Sequence, residues 1–260
     1  MRRLLIFIAF VAVAVCGKAQ SFDSGASHLK GKIINVIGDS YVRNHRRPFT
    51  EAWHSLVAER NGMVYRNYGR NGNCIVFDRE KEGWGKPMLE RYKEMNDTAD
   101  YVLVIAGHND AFKIGGNADS LRIFRNGLRQ FCKCLIEKYP KAVIAFVTPW
   151  DVPHDGFPQT IRAISEVCAE YSIPCLNAAN TGGINVGNAG FRKQFFQGPK
   201  DTAHLNAKGH ELFYPTGFHF ISRLKPRRST EEAFRQPSEE AKPLMIWQWM
   251  DGMVNEKAIT

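Results

Sequence analysis

A serine closes the apolar run Ile33-Ile34-Asn35-Val36-Ile37-Gly38-Asp39-Ser40, and far downstream Asp201-Thr202-Ala203-His204 sets a carboxylate three residues from an imidazole. A serine hydroxyl is a weak nucleophile until a base takes its proton. His204 is the candidate base, and Asp201 is the candidate group to fix its tautomer and stabilise the imidazolium. Between these ends lie Asn67-Tyr68-Gly69-Arg70-Asn71-Gly72 and Gly107-His108-Asn109-Asp110. A glycine lets a backbone N–H approach a ligand closely, and an Asn amide supplies a neutral donor. With the Ser40 N–H, Gly72 and Asn109 are candidate donors to the oxyanion of a tetrahedral intermediate. The set is a kit for acyl transfer. Each part alone also has a plain structural reading. Gly-Asp-Ser after a strand is an ordinary turn with a helix cap, a single His is often structural, and Asn-Asp is a common turn signal.

The elements that must carry these residues alternate. Strands are expected at 32–38, 63–67, 101–106, 142–148 and 173–177, and helices at about 48–61, 86–96, 121–139, 159–172 and 207–224. Tyr-Val-Leu-Val-Ile-Ala at 101–106 is the continuous apolar run of a strand buried on both faces. Pro48 suits the start of one helix, and Asn206 can cap the last. Strands alternating with helices argue for a parallel sheet covered on both sides. Each candidate catalytic residue then follows a strand's C-terminal end or precedes the last helix, at the edge where open α/β sheets bind ligands.

Those four blocks, in that order, resemble the SGNH hydrolase superfamily, also known as GDSL esterases and lipases. Ser40 matches the serine of the first block, and Gly72, five residues after Asn67, the glycine of the second. Gly107-x-Asn109-Asp110 matches the third block and Asp201-x-x-His204 the last. The resemblance spans about residues 32–224. It implies an α/β fold, a three-layer α/β/α sandwich on a parallel five-stranded sheet of flavodoxin-like type, and ester hydrolysis without metal or cofactor. Two departures stand out. Tyr41 replaces the Leu that follows Gly-Asp-Ser, and the segments 178–200 and 226–260 have no counterpart in the minimal fold. Asp39, His108, Asp110 and Trp150 are expected around the substrate.

The chain has 260 residues, 44% of them hydrophobic, enough for one α/β domain with an extension. Arg2-Arg3, the twelve apolar residues Leu4 to Val15 and Gly17-Lys18-Ala19 read as an export signal cut before Gln20. The expected product is a periplasmic or extracellular protein with no permanent membrane span, since twelve residues are short for a bilayer. Cys16 offers lipid anchoring as an alternative, although Val15 before it fits such processing poorly. A leader over 20–31, a domain over 32–225 and an extension packing back through Leu244–Met250 complete the plan. Removing the three cations of the signal lowers the formal charge from +9 to about +6. Arg43, His45, Arg46 and Arg47 form the dense basic patch, read as solubility or as steering of anionic substrates. No nucleic-acid motif accompanies it. Five cysteines remain in the mature chain, so at least one is unpaired; Cys168 and Cys175 could bond, and no CxxC pair suggests zinc.

Export, the basic edge and a rim carrying Trp84, Trp150 and several Asn point to removal of short, acetyl-type acyl groups from carbohydrate. A lipid or lysophospholipid acyl hydrolase is one alternative. A non-catalytic carbohydrate-binding protein on the same scaffold is the other, to be recognised by a missing Ser40–His204 contact. Oligomeric state is not legible in the sequence.

Overall fold

The computed structural model describes residues 27–225. The export signal, Cys16 and the 226–260 extension with its Leu244–Met250 cluster lie outside them. The end of the expected leader does not hang free. A 3-10 turn at Ser27–Leu29 buries Leu29 completely, and the Gly31 N–H donates to the Gly62 carbonyl at 2.8 Å.

The elements run β1 (Ile33–Gly38), α1 (Ser40–Arg43), α2 (Trp53–Arg60), β2 (Val64–Gly69), α3 (Met88–Arg91), β3 (Tyr101–Ile105), α4 (His108–Ile114), α5 (Ala118–Lys138), β4 (Val143–Val147), α6 (Gly156–Glu170), β5 (Cys175–Leu176), α7 (Ala189–Phe195) and α8 (Ala207–Ser222). The five strands pair in parallel in the order β2-β1-β3-β4-β5. Side chains alternate across the sheet with the period of two that a strand imposes. Val36, Leu103, Ile105 and Val147 join Trp53, Val57, Phe213 and Ile221 of α2 and α8 on one face. Ile37, Val102, Val104 and Phe146 meet Phe124, Leu128 and Phe131 of α5 and Val167 of α6 on the other. The result is the expected three-layer α/β/α sandwich with a five-stranded parallel sheet.

Register aligns the strand ends. Gly38 pairs with Gly69 and with Ile105, and Ile105 pairs with Val147. Hence the chain leaves β1, β2, β3 and β4 at one level, and four loops rise side by side. Gly38 is required there, because a Cβ would sit 2.2 Å from the Ile105 carbonyl and 2.3 Å from a Val42 methyl. Only a glycine lets α1 fold back so tightly over β1.

Several boundaries differ from the sequence expectation. The helix expected over 48–61 breaks at Ala52, which is extended (φ −72°, ψ 140°), and restarts at Trp53, whose N–H donates to His210 Nδ1 of α8 at 3.3 Å. The one expected over 86–96 is a single turn, α3, followed by a 3-10 turn at Tyr92–Glu94. β5 shrinks to two residues because Pro174 has no N–H to give the ladder. The 178–200 segment, expected as a loop, contains α7, capped by the Asn188 side chain accepting from the Phe191 N–H at 2.9 Å. Cys168 and Cys175 are free thiols, as are Cys74, Cys132 and Cys134. Among the described residues no helix is long and apolar enough to cross a membrane.

Candidate active site

Asp39 stops β1 and caps α1: its carboxylate accepts the Tyr41 N–H at 2.9 Å. Ser40 therefore stands at the first position of a short helix, at the edge of the sheet. His204 arrives from the other end of the chain, just before α8. His204 Nε2 lies 2.9 Å from Ser40 Oγ, and His204 Nδ1 lies 2.9 Å from Asp201 Oδ2. The second oxygen of Asp201 accepts the backbone N–H groups of Ala203 and His204 at 2.8 and 2.9 Å. Burial raises the pKa of this carboxyl, but the hydrogen bonds from His204 and Ala203 outweigh it and hold it below its ordinary value. Asp201 is thus anionic at neutral pH and aimed at one ring nitrogen, leaving the other for the serine.

Two further candidates close around Ser40. Gly72 turns with φ +69°, and a Cβ there would lie 2.4 Å from the Trp84 indole. Among the described residues neither the Ser40 nor the Gly72 N–H has a protein acceptor. Asn109 is the second residue of α4; its Nδ2 donates to the Asn73 carbonyl at 3.0 Å and sits a loose 3.4 Å from Asp39 Oδ2. A carbonyl oxygen entering this corner would find donors without displacing strong protein hydrogen bonds.

Three of the four residues expected around the substrate lie beneath the site instead. Asp39 and Asp110 are fully buried. Asp39 is occupied with the α1 cap, and Asp110 accepts the Ile75 and Val76 N–H groups at 2.8 and 3.1 Å, pinning the chain just after Gly72. Burial raises both carboxyls, Asp39 to about 7 and Asp110 to about 6. Trp150 is only 3% exposed. It stacks on Tyr41 with ring centroids 5.1 Å apart, and its indole N–H donates to the Ala203 carbonyl at 2.8 Å. It is the floor of the His204 loop, not a wall for substrate. His108 alone reaches the cleft, with Nδ1 3.0 Å from the Tyr41 hydroxyl. Burial lowers its pKa to about 3, so the ring is neutral.

An open cleft of about 970 Å³ adjoins Asp201 and His204, lined also by His45, Arg46, His108, Gln197 and Lys200. His45 was legible only as part of a basic patch. Its ring in fact lies against His204, and both His45 (φ +45°) and Asn44 (φ +62°) adopt left-handed backbone. Asn44 is held by His210 Nε2 at 3.0 Å and bonds the Pro48 carbonyl at 2.7 Å. Strain of this kind is tolerated where the surroundings over-determine it. Arg79 and Asn73, which hold the Gly72 turn, had no sequence signal: they sit in aperiodic loop.

Comparison with known proteins gives consistent relatives. The profile of the GDSL-like lipase/acylhydrolase family matches residues 36–212. No curated protein matches the sequence. A protein from Lactobacillus plantarum superposes with TM-score 0.63 at 20% identity, over 75% of this chain and 98% of that one. The psychrotrophic esterase EstA from Pseudoalteromonas sp. does so with TM-score 0.52 at 18% identity, over 74% and 97%. An active-site mutant of a family two carbohydrate esterase from Clostridium thermocellum gives TM-score 0.56 at 13% identity, over 73% and 63%. At these identities the superpositions speak for the fold.

Proposed function

Since this chain belongs to the GDSL-like lipase/acylhydrolase family and is a carboxylic ester hydrolase, we propose that it works through a triad of Ser40, His204 and Asp201 and removes short acyl groups from carbohydrate. The observation that carries the reading is the line of contacts from Ser40 Oγ to His204 to Asp201, each 2.9 Å. His204 takes the Ser40 proton as Oγ attacks the ester carbonyl. The Ser40 N–H, the Gly72 N–H and Asn109 Nδ2 hold the oxyanion, each donor worth roughly 3–4 kcal/mol of barrier. His204 then protonates the leaving alcohol. Water, activated by the same ring, releases the acid from the acyl-enzyme.

The open, polar cleft suits an alcohol portion larger and wetter than a lipid. Arg46 and Lys200 line it, and Trp84, 40% exposed, stands beside Gly72. The fold is shared with a protein described as a carbohydrate esterase. We place the enzyme outside the cytoplasm on the strength of its N-terminal basic and apolar segments.

Hydrolysis of p-nitrophenyl esters from acetyl to long acyl chains, by wild type and Ser40→Ala, tests the reading. Serine-dependent turnover that falls with chain length is expected. Turnover that rises with length assigns the enzyme to lipids, and wild-type rates in Ser40→Ala refute the triad.

A further inference from the structure

Two of the oxyanion donors stand on separate elements, Gly72 in the loop after β2 and Asn109 at the start of α4. One side chain touches both. Arg79 Nη1 donates to the Gly72 carbonyl at 2.8 Å and reaches Asn109 Oδ1 at 3.4 Å. The remainder of the guanidinium is clamped: Nε and Nη2 both bond Glu82 Oε2, at 2.9 and 2.6 Å. The other Glu82 oxygen binds Lys113, four residues after Asn109 on the same helix. The guanidinium carbon lies 5.8 Å from the centroid of the Trp84 ring that packs on Gly72. The side chain is 17% exposed.

We infer that Arg79 is a positioning residue for the oxyanion hole, fixing both the orientation of the Asn109 amide and its spacing from Gly72. This rests on the triad reading above. An Asn amide can present either its oxygen or its NH₂ in nearly the same space, whereas a guanidinium is a donor only. Arg79 Nη1 stands 3.4 Å from Oδ1 on one side and the Asn73 carbonyl accepts from Nδ2 at 3.0 Å on the other, so the two together hold the oxygen toward the guanidinium and Nδ2 toward the reacting corner. The Gly72 carbonyl, held by the same nitrogen, keeps the left-handed turn in place. Glu82 and Lys113 extend the clamp to α4, so the two donors are tied at the backbone of one element and the surface of the other. The Asn73 side chain reinforces it, donating to the Lys86 carbonyl at 2.7 Å and accepting from the buried Arg91 at 2.8 Å.

The test is steady-state hydrolysis of p-nitrophenyl acetate by wild type, Arg79→Ala, Arg79→Lys and Ser40→Ala, with thermal melts and with added millimolar guanidinium ion. Arg79→Ala should lose about 10²-fold in kcat, the scale of one mispositioned oxyanion donor, while KM changes less than threefold. Guanidinium ion should restore at least tenfold of that loss and leave wild type and Ser40→Ala unchanged. Arg79→Lys keeps a charge but not the fork, so an intermediate kcat with a wild-type melt is expected. If Arg79→Ala does not fold, Arg79→Lys decides. A kcat within twofold of wild type in either variant overturns the inference, and so does a loss that guanidinium ion fails to rescue in a folded Arg79→Ala. Wild-type turnover in Ser40→Ala refutes the triad instead.

Discussion

The His45 ring lies face to face on the His204 ring, with centroids 4.1 Å apart and planes 12° from parallel. Burial, then the charges of His204 and Arg46, lower the pKa of His45. A neutral ring therefore rests on the face of the imidazole proposed to carry the proton in each cycle. The stack covers that face of the His204 ring.

Removing that ring should cost what an aromatic contact is worth, about 0.5–1.5 kcal/mol, hence about two- to tenfold in kcat for His45→Ala. His45→Phe keeps a flat ring without a titratable nitrogen, and its kcat is expected within twofold of wild type. Equal losses in both variants would assign the role to the nitrogen atoms instead of the stack.

Trp150→Phe separates floor from wall. The phenyl ring keeps the contact with Tyr41 and drops the hydrogen bond to Ala203, leaving a buried carbonyl unmet at a cost of about 1–3 kcal/mol. Denaturant melts should show that loss, and kcat should fall several-fold as the His204 loop loosens. KM is expected to hold across acyl lengths. A KM change above fivefold with unchanged stability would return Trp150 to the substrate.

Stability should depend on pH in two stages. Burial lowers His54 to about 4 and His108 and His210 to about 3, while burial raises Asp39 to about 7 and Asp110 to about 6. The histidines contribute stability above about pH 6.5 that is lost as pH falls toward their folded values. The carboxyls contribute stability below about pH 4 that is lost as pH rises through 6 and 7. Between pH 5 and 6 the unfolded chain holds three protons on these histidines and the native chain two on these carboxyls. The net slope is then only about 1 kcal/mol per pH unit. Below about pH 4 the unfolded carboxyls also protonate, and the fall steepens up to threefold. Melts that drop steeply from pH 6.5 would contradict the buried-carboxyl part of this account.

The candidate trio was legible because each part has a local signature: a serine at a strand end, and a carboxylate three residues from an imidazole. The sandwich was legible because buried strands are written as unbroken apolar runs. Which atoms face the cleft was not. Asp39, Asp110 and Trp150 sit at the right strand ends, yet each turns inward to satisfy a backbone group, and that direction depends on the neighbouring loops. Arg79 and the His45 stack arise from contacts between segments with no periodic pattern. α7 hid because Asn and Gly surround a helix of only two turns, and β5 was overextended because Pro174 truncates its ladder.

The contact between Ser40 and His204 joins residues 164 apart in sequence, and the Trp53–His210 bond locks α2 to α8 over a separation of 157. Closing loops of that length costs more chain entropy than forming a local turn, and contacts so distant in sequence slow folding. During synthesis Ser40 is made well before His204, the base proposed for it. A chain truncated before residue 204 would therefore carry the serine without the base proposed for it.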